Sequence, residues 1–349
     1  MTEIKEQPKI IEKNEINGKK ENKSLSDLNY SLFLGCVIPN RYPMIERATR
    51  FVFDKLGMGL VDMNGATCCP APGVFRSVDK ALWLTLGARN LTIAQQNKTT
   101  ELLTLCNGCF GTLHEVEHEM KSNPEINQRI NEILAEKNLH FDGSVNVRQI
   151  MDVLYFDMGL DKIKSLVKKT LNLRIAVHYG CHILKPATTQ LFGQDPDNPT
   201  FFDEVIEALG CQSIDYQEKL MCCGAGGSLR TGFKDNSLQY TLEKLRQIRK
   251  VGVDCIVVCC PFCHLQFDLG QIEVSKFLDD GEEEFRIPVI FITQLLGLAM
   301  GFDPEDLGMI KPSEPKGISP FVPFDPLLKK IETIPLDEEF NKNAEKGGK

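Results

Sequence analysis

Four cysteines of this chain recur at one fixed shift. Cys68, Cys69, Cys106 and Cys109 each have a counterpart 154 residues later, at Cys222, Cys223, Cys260 and Cys263. Cys36 pairs with Cys181 at a shift of 145, and a glycine, Gly35 or Gly180, precedes each. The surroundings repeat as well: Cys68-Cys69-Pro70-Ala71-Pro72-Gly73 stands against Cys222-Cys223-Gly224-Ala225-Gly226-Gly227. Self-similarity of this kind marks two copies of one structural unit. The copies divide near residue 172, and a pseudo-twofold axis is expected to relate them.

The pattern between the cysteines predicts an α/β fold. Short apolar runs at Ser31–Gly35, Leu60–Met63, Leu102–Leu105, Arg174–His178, Cys255–Cys259 and Pro288–Ile292 read as buried strands. Helical stripes alternate with them. One is Met44, Ile45, Ala48, Val52 and Leu56; a second is Val205, Ile206 and Leu209; a third is Leu238, Leu242, Leu245 and Ile248. Strands alternating with helices imply largely parallel sheets flanked by helices. Residues 29–172 are expected to form the first domain and residues 173–310 the second. Residues 1–28 carry six lysines and six acidic residues and read as a disordered charged extension. Residues 311–349 hold six prolines and read as an extended tail.

Charge and hydropathy narrow the functions. Forty basic and 48 acidic residues give a net charge of −8, so no nucleic-acid partner is expected. The longest apolar stretch, Ile287 to Phe302, is 16 residues and contains Thr293, Gln294 and two glycines. It falls short of the roughly 20 residues a membrane span needs and reads as a buried strand followed by a helix. No secretory signal reads at the start, so a cytoplasmic location is expected and the 13 cysteines argue for metal or redox chemistry over disulfides. Five thiols per copy overfill a four-coordinate zinc ion, and an adjacent Cys-Cys pair fits one tetrahedral ion poorly. An iron–sulfur cluster offers several iron vertices, and the compact ferredoxin run is absent. Zinc binding and free thiol chemistry stand as alternatives.

The doubled pattern Cys–(31 or 40)–Cys-Cys–36–Cys-x-x-Cys resembles the cysteine-rich CCG domain. Given twice with no ferredoxin module, it is similar to the B-type polypeptide of heterodisulfide reductase from methanogenic archaea, over residues 31 to about 310. That resemblance implies two pseudo-twofold-related CCG domains and two noncubane [4Fe-4S] clusters. One cluster would sit on Cys36, Cys68, Cys69, Cys106 and Cys109, the other on Cys181, Cys222, Cys223, Cys260 and Cys263. It implies reduction of the CoM-S-S-CoB heterodisulfide to two thiols. It also implies two further heterodisulfide reductase polypeptides as partners, the A-type with flavin and iron–sulfur groups and the C-type with iron–sulfur groups. A hydrogenase or formate dehydrogenase module would feed them indirectly. The first copy departs at Pro70, which stands where the second has Gly224. Related CCG subunits of quinone- or fumarate-linked oxidoreductases supply a second reading, in which the chain passes electrons and cleaves no disulfide; a zinc-bound structural protein is a third.

Other residues carry paired readings. Gly224-Ala225-Gly226 lacks the third glycine of a dinucleotide loop. Cys211, Cys255 and Cys259 lie outside the repeat and read as buried inert thiols. The C-x-x-C pairs also fit a dithiol redox motif. His114-Glu115-Val116-Glu117-His118 matches H-E-x-x-H, with a charged, solvated helix face as the plainer reading. Arg76 and Arg230 share a repeat position and suit either anionic substrate groups or surface ion pairs. His178 and His182 flank Cys181 and, with Lys185 nearby, suit protonation of product thiolates or hydrogen bonds to cluster sulfur. His264, beside Cys263, has the same two readings.

Overall fold

The computed structural model describes residues 24–185, 194–309 and 320–335. Most of the expected N-terminal extension, and much of the expected tail, lie outside the described residues.

Each half is built on a four-stranded parallel sheet. The first holds β1 (Asn29–Phe33), β2 (Gly59–Asp62), β3 (Glu101–Thr104) and β4 (Asn146–Gln149), in spatial order β2-β1-β3-β4. The second holds β5 (Arg174–His178), β6 (Gln212–Ser213), β7 (Cys255–Val258) and β8 (Val289–Phe291), in order β6-β5-β7-β8. Every pairing is parallel, and the same order appears twice. β4 and β6 are strands that apolar runs do not reveal. β4 is Asn-Val-Arg-Gln and β6 has two residues. β4 forms because β3 supplies its ladder and the Glu117 carboxylate accepts from Val147 N at 2.7 Å.

The helices follow the stripes. α1 (Pro43–Lys55) buries Met44, Ile45, Ala48 and Val52. α2 (Lys80–Gln96), α3 (Asn107–Ser122) and α4 (Pro124–Ala135) complete the first half. α5 (Phe201–Ala208), α6 (Lys234–Val251), α7 (Pro261–Glu273) and α8 (Ile292–Ala299) belong to the second.

The halves share one apolar core. α1, which follows β1, packs on α8, which follows β8. Thr49 and Thr293 meet there at 3.0 Å, and Phe51 and Phe302 at 5.1 Å between ring centroids. The reciprocal contact is α5 against residues 150–166, with Tyr155 donating to Glu204 at 2.7 Å. Exchange of equivalent helices is what a pseudo-twofold arrangement produces. The described part of the C-terminal segment is docked where an extended chain is expected. α9 (Asp325–Glu332) follows buried Phe324 and buries Leu327 and Ile331, one helical face by spacing.

Candidate metal centre

In each sheet the chain leaves its first strand to one side and returns to the other. This makes a crevice at the carboxyl ends of β1 and β3, and of β5 and β7, where open parallel sheets collect ligands. The cysteines stand at that edge. Cys36 lies three residues beyond β1 and Cys181 three beyond β5; Cys106 and Cys260 lie two beyond β3 and β7. Cys106 and Cys260 are the N-caps of α3 and α7, so each C-x-x-C places its second cysteine in the first helical turn. The positive ends of both helix dipoles favour anionic sulfur there.

The thiols form one continuous line. In the first half, hydrogen-bond contacts run Cys36–Cys68–Cys69–Cys109–Cys106. In the second they run Cys181–Cys222–Cys223–Cys263–Cys260. Cys106 and Cys260, equivalent by the repeat, join the two lines at 3.7 Å between sulfurs. A second equivalent pair, Gly73 and Gly227, also touches: a Cβ on Gly73 would lie 3.3 Å from Gly227 Cα. The pseudo-twofold axis thus passes between the cysteine sets and between their loops.

Proton sharing follows the repeat as well. Hydrogen bonds from Cys36 and Cys69 hold Cys68 down at about 3. Those from Cys181 and Cys223 hold Cys222 down at about 2. Burial opposes ionisation of Cys260, but hydrogen bonds from Cys106 and Cys263 bring it well below the usual thiol value. Cys36 and Cys181 are pushed up by the neighbouring thiolate and then by burial. Anionic sulfur packed against further sulfur calls for a cation, and an all-sulfur donor set selects soft metals or iron–sulfur groups. Five donors per set exceed the four of a structural zinc ion. The residues fit an iron–sulfur group in each half.

A cavity of about 540 Å³ opens between the two sets. Cys68 from one side and Cys181, Cys223, Cys260 and Cys263 from the other reach it, together with His182. Val74, Phe75, Leu86 and Phe262 make its walls apolar. The floor between halves is a polar knot. Asn107 donates to Tyr179 O at 2.8 Å, and Gln149 donates to Cys259 O at 2.9 Å and to Asn107 Oδ1 at 3.0 Å. The backbone at Pro70 is held here: its carbonyl accepts from Trp83 and Thr112, both at 3.0 Å. Gly224 has φ +94° and a Cβ there would meet Ser237 O at 2.4 Å, so the second copy needs glycine.

The remaining sequence candidates scatter. His182 lines the cavity and burial pushes its pKa down. His178 is buried behind the second set, a ring nitrogen within 4.8 Å of the Cys223 and Cys263 sulfurs. His264 is buried and packs against Tyr42, the rings tilted with centroids 4.5 Å apart. Lys185 is paired with Asp197 at 3.8 Å. Arg76 pairs with Glu115 and lies 5.4 Å over Trp83. Arg230 holds Gln266 at 2.8 Å and Glu273 at 2.6 Å. Neither arginine lines the cavity. His114 packs on Phe110, Glu115 is taken by Arg76, and His118 is exposed, so the H-E-x-x-H run forms no metal site among the described residues. Its helix face is only partly solvated, since Glu117 is buried against β4. Cys211, Cys255 and Cys259 are buried and take no part in the line of thiols, although Cys259 adjoins Cys260 and donates to Asn107 Oδ1 and Tyr179 O at 3.6 Å. Asn107, Gln149 and Lys244 escape a sequence reading. The first lies inside the Cys106–Cys109 motif, and Lys244 sits inside an apolar helix stripe, which was the available signal.

The comparisons agree with this geometry. The CCG cysteine-rich domain family matches residues 30–114 and 175–268. The chain is 49% identical over 280 residues to the B-type polypeptide of the ferredoxin:CoB-CoM heterodisulfide reductase of Methanosarcina mazei, covering 80% of this chain and 91% of that one. It is 39% identical to a B-like heterodisulfide reductase protein of Archaeoglobus profundus, covering 81% and 94%. It is 31% identical to the 8-methylmenaquinol:fumarate reductase membrane anchor subunit of Wolinella succinogenes, covering 80% and 95%. Among the described residues no helix is long and apolar enough to cross a membrane. A hypothetical protein from Helicobacter pylori shares the fold at a TM-score of 0.62 and 15% identity, over 80% of this chain and 51% of that one. Two CCG domains whose two five-cysteine sets meet beside one cavity, with this degree of similarity, place the chain in the B-type family of heterodisulfide reductase polypeptides, as an oxidoreductase subunit.

Proposed function

We propose that this chain is the disulfide-reducing subunit of a cytoplasmic heterodisulfide reductase complex and acts on CoM-S-S-CoB. The balance is CoM-S-S-CoB plus two electrons and two protons, giving HS-CoM and HS-CoB. The observation that carries the reading is the meeting of two five-thiol sets, 3.7 Å apart at Cys106 and Cys260, beside one cavity. A disulfide lying in that cavity would sit between Cys68 of the first set and Cys181, Cys223, Cys260 and Cys263 of the second.

Cys36, Cys68, Cys69, Cys106 and Cys109 would hold one noncubane [4Fe-4S] cluster, and Cys181, Cys222, Cys223, Cys260 and Cys263 the other. Bound there, the pair supplies one-electron transfer and a soft Lewis acid for each departing sulfur. The chain's own residues do the rest. Val74, Phe75, Leu86 and Phe262 line the cleft with apolar surface against which the coenzyme stems would pack. His182, which lines the cavity, would deliver a proton to a product thiolate. His178 lies behind the sulfurs and off the cavity, which suits a hydrogen bond to the site. Arg76 and Arg230 are engaged by Glu115 and Glu273; they would anchor anionic coenzyme groups after those pairs open. Electrons would come from the A-type and C-type partner polypeptides, supplied by a hydrogenase or formate dehydrogenase module.

The Wolinella relative supports a second reading, an electron-transfer subunit of a quinone- or fumarate-linked oxidoreductase. Two measurements on anaerobically prepared protein separate the readings. Two such clusters give about eight iron and eight sulfide per chain; two zinc ions and no sulfide overturn the redox reading altogether. Reduced viologen should then be oxidised on addition of CoM-S-S-CoB, with two thiols appearing per disulfide. Cluster-loaded protein that leaves the disulfide intact belongs to the second reading.

A further inference from the structure

The repeat sets unlike side chains around its two cysteine sets. Phe33, Val37, Asn90 and Phe110 of the first half correspond to His178, His182, Lys244 and His264 of the second. The element bounds fix this match. Phe33 and His178 end β1 and β5, and Asn90 and Lys244 are each the eleventh residue of their helices, α2 and α6.

Lys244 is fully buried. Its Nζ donates to Lys219 O at 2.9 Å and faces His178 Nδ1 at 3.3 Å. An ammonium offers donors alone, so Nδ1 accepts and the ring proton resides on Nε2. Nε2 is buried and has no hydrogen-bond partner among the described residues. A ring nitrogen of His178 and the sulfurs of Cys223 and Cys263 lie within 4.8 Å of one another. With Nδ1 engaged by the ammonium, Nε2–H is the ring's uncommitted donor among the described residues, on a side chain that sits beside those two sulfurs.

Among the described residues the first half has no such relay. Phe33 is apolar, and the Asn90 amide is spent on Thr67 N at 3.0 Å and Cys68 O at 3.2 Å. Arg89 holds Gly65 O and Thr67 on the loop ahead of Cys68, but it is partly exposed and solvent screens it. Of the carboxylates on the second side, Asp268 is taken up by Tyr42, Phe321 N and Val322 N, and Glu218 is exposed.

We propose that the buried Lys244–His178 pair makes the two centres unequal: the group held by Cys181, Cys222, Cys223, Cys260 and Cys263 has the higher one-electron reduction potential, and the first electron to enter rests there. Reduction adds negative charge, and a nearby buried cation and an N–H to sulfur both favour the reduced form. The inference depends on the iron–sulfur reading above.

The test is a potentiometric titration of the intact complex followed by electron paramagnetic resonance. Titanium(III) citrate serves as reductant, each titanium giving one electron as it becomes titanium(IV). Two midpoints are expected from this chain's two centres in the unaltered complex, told apart from the partners' groups by their absence in the chain without iron. Lys244→Met should lower the upper one by at least a tenfold change in its equilibrium constant, about 59 mV for one electron, and leave the lower one in place. Lys244→Arg should keep the separation. Should Lys244→Met not fold, His178→Phe copies the first half and should lower the same midpoint. Coincident midpoints in the unaltered protein overturn the proposal, as does a variant with full iron content whose midpoints are unmoved or move together. Protein without iron and sulfide overturns the iron–sulfur reading instead.

Discussion

Cys223 shows how much one side chain carries. It contacts Cys222 and Cys263, faces the cavity, and is buried. Cys223→Ala should cut bound iron to about half, the share of one [4Fe-4S] cluster of two, and abolish disulfide cleavage, as read by iron analysis and the viologen assay. Retained turnover would rule out the two-centre mechanism. The ten ligand candidates were legible in the sequence because their spacing repeats. Asn107 and Gln149 were not, because nothing in a linear pattern says which polar residue is sealed between halves; Lys244 showed only as a charge inside an apolar helix stripe. The arginines illustrate the converse. Arg76 and Arg230 share a repeat position, yet each is neutralised by a glutamate from a neighbouring helix, Glu115 of α3 and Glu273 of α7.

At the scale of elements, the loop after each Cys-Cys pair must pass close under a helix. In the second half this loop meets α6 at Gly224, where a Cβ would lie 2.4 Å from Ser237 O at a left-handed φ of +94°. Gly224→Ala therefore strains the backbone and pushes two main chains apart, at a cost of roughly 1–3 kcal/mol. Denaturant melts should show that loss, and iron binding should fall at the second set while the first keeps its share. The equivalent Pro70 keeps its loop in place through Trp83 and Thr112. Six strands read from apolar runs lie within a residue or two of their observed bounds. β4 and β6 escaped because pairing with a neighbour, not their own composition, makes them strands.

The whole molecule behaves as one unit because its halves exchange helices and share a core. One cooperative thermal transition is expected by calorimetry, in place of two. α9 belongs to that unit. Leu327 is 2% exposed and Ile331 4%, and Lys330 reaches Asp254 at 2.7 Å. Leu327→Ala should cost about 2–4 kcal/mol, as a buried leucine lost from a packed site does, and lower the melting temperature without changing iron content. An unchanged melting temperature would show that this segment is not part of the cooperative core.

The sequence alone determined the duplication, the α/β class, the ten cysteines and their division into two sets of five, because spacing and periodicity are properties of the chain. It also located the core-facing stripes, since burial follows apolar period. The tertiary structure decided what the two sets do together. The 3.7 Å approach of Cys106 to Cys260 and the shared cavity arise from folding residues far apart in sequence onto one axis, and the buried pair of Lys244 and His178 from packing within the second half. Proximity across that axis depends on how the two sheets pack, and no local pattern encodes it.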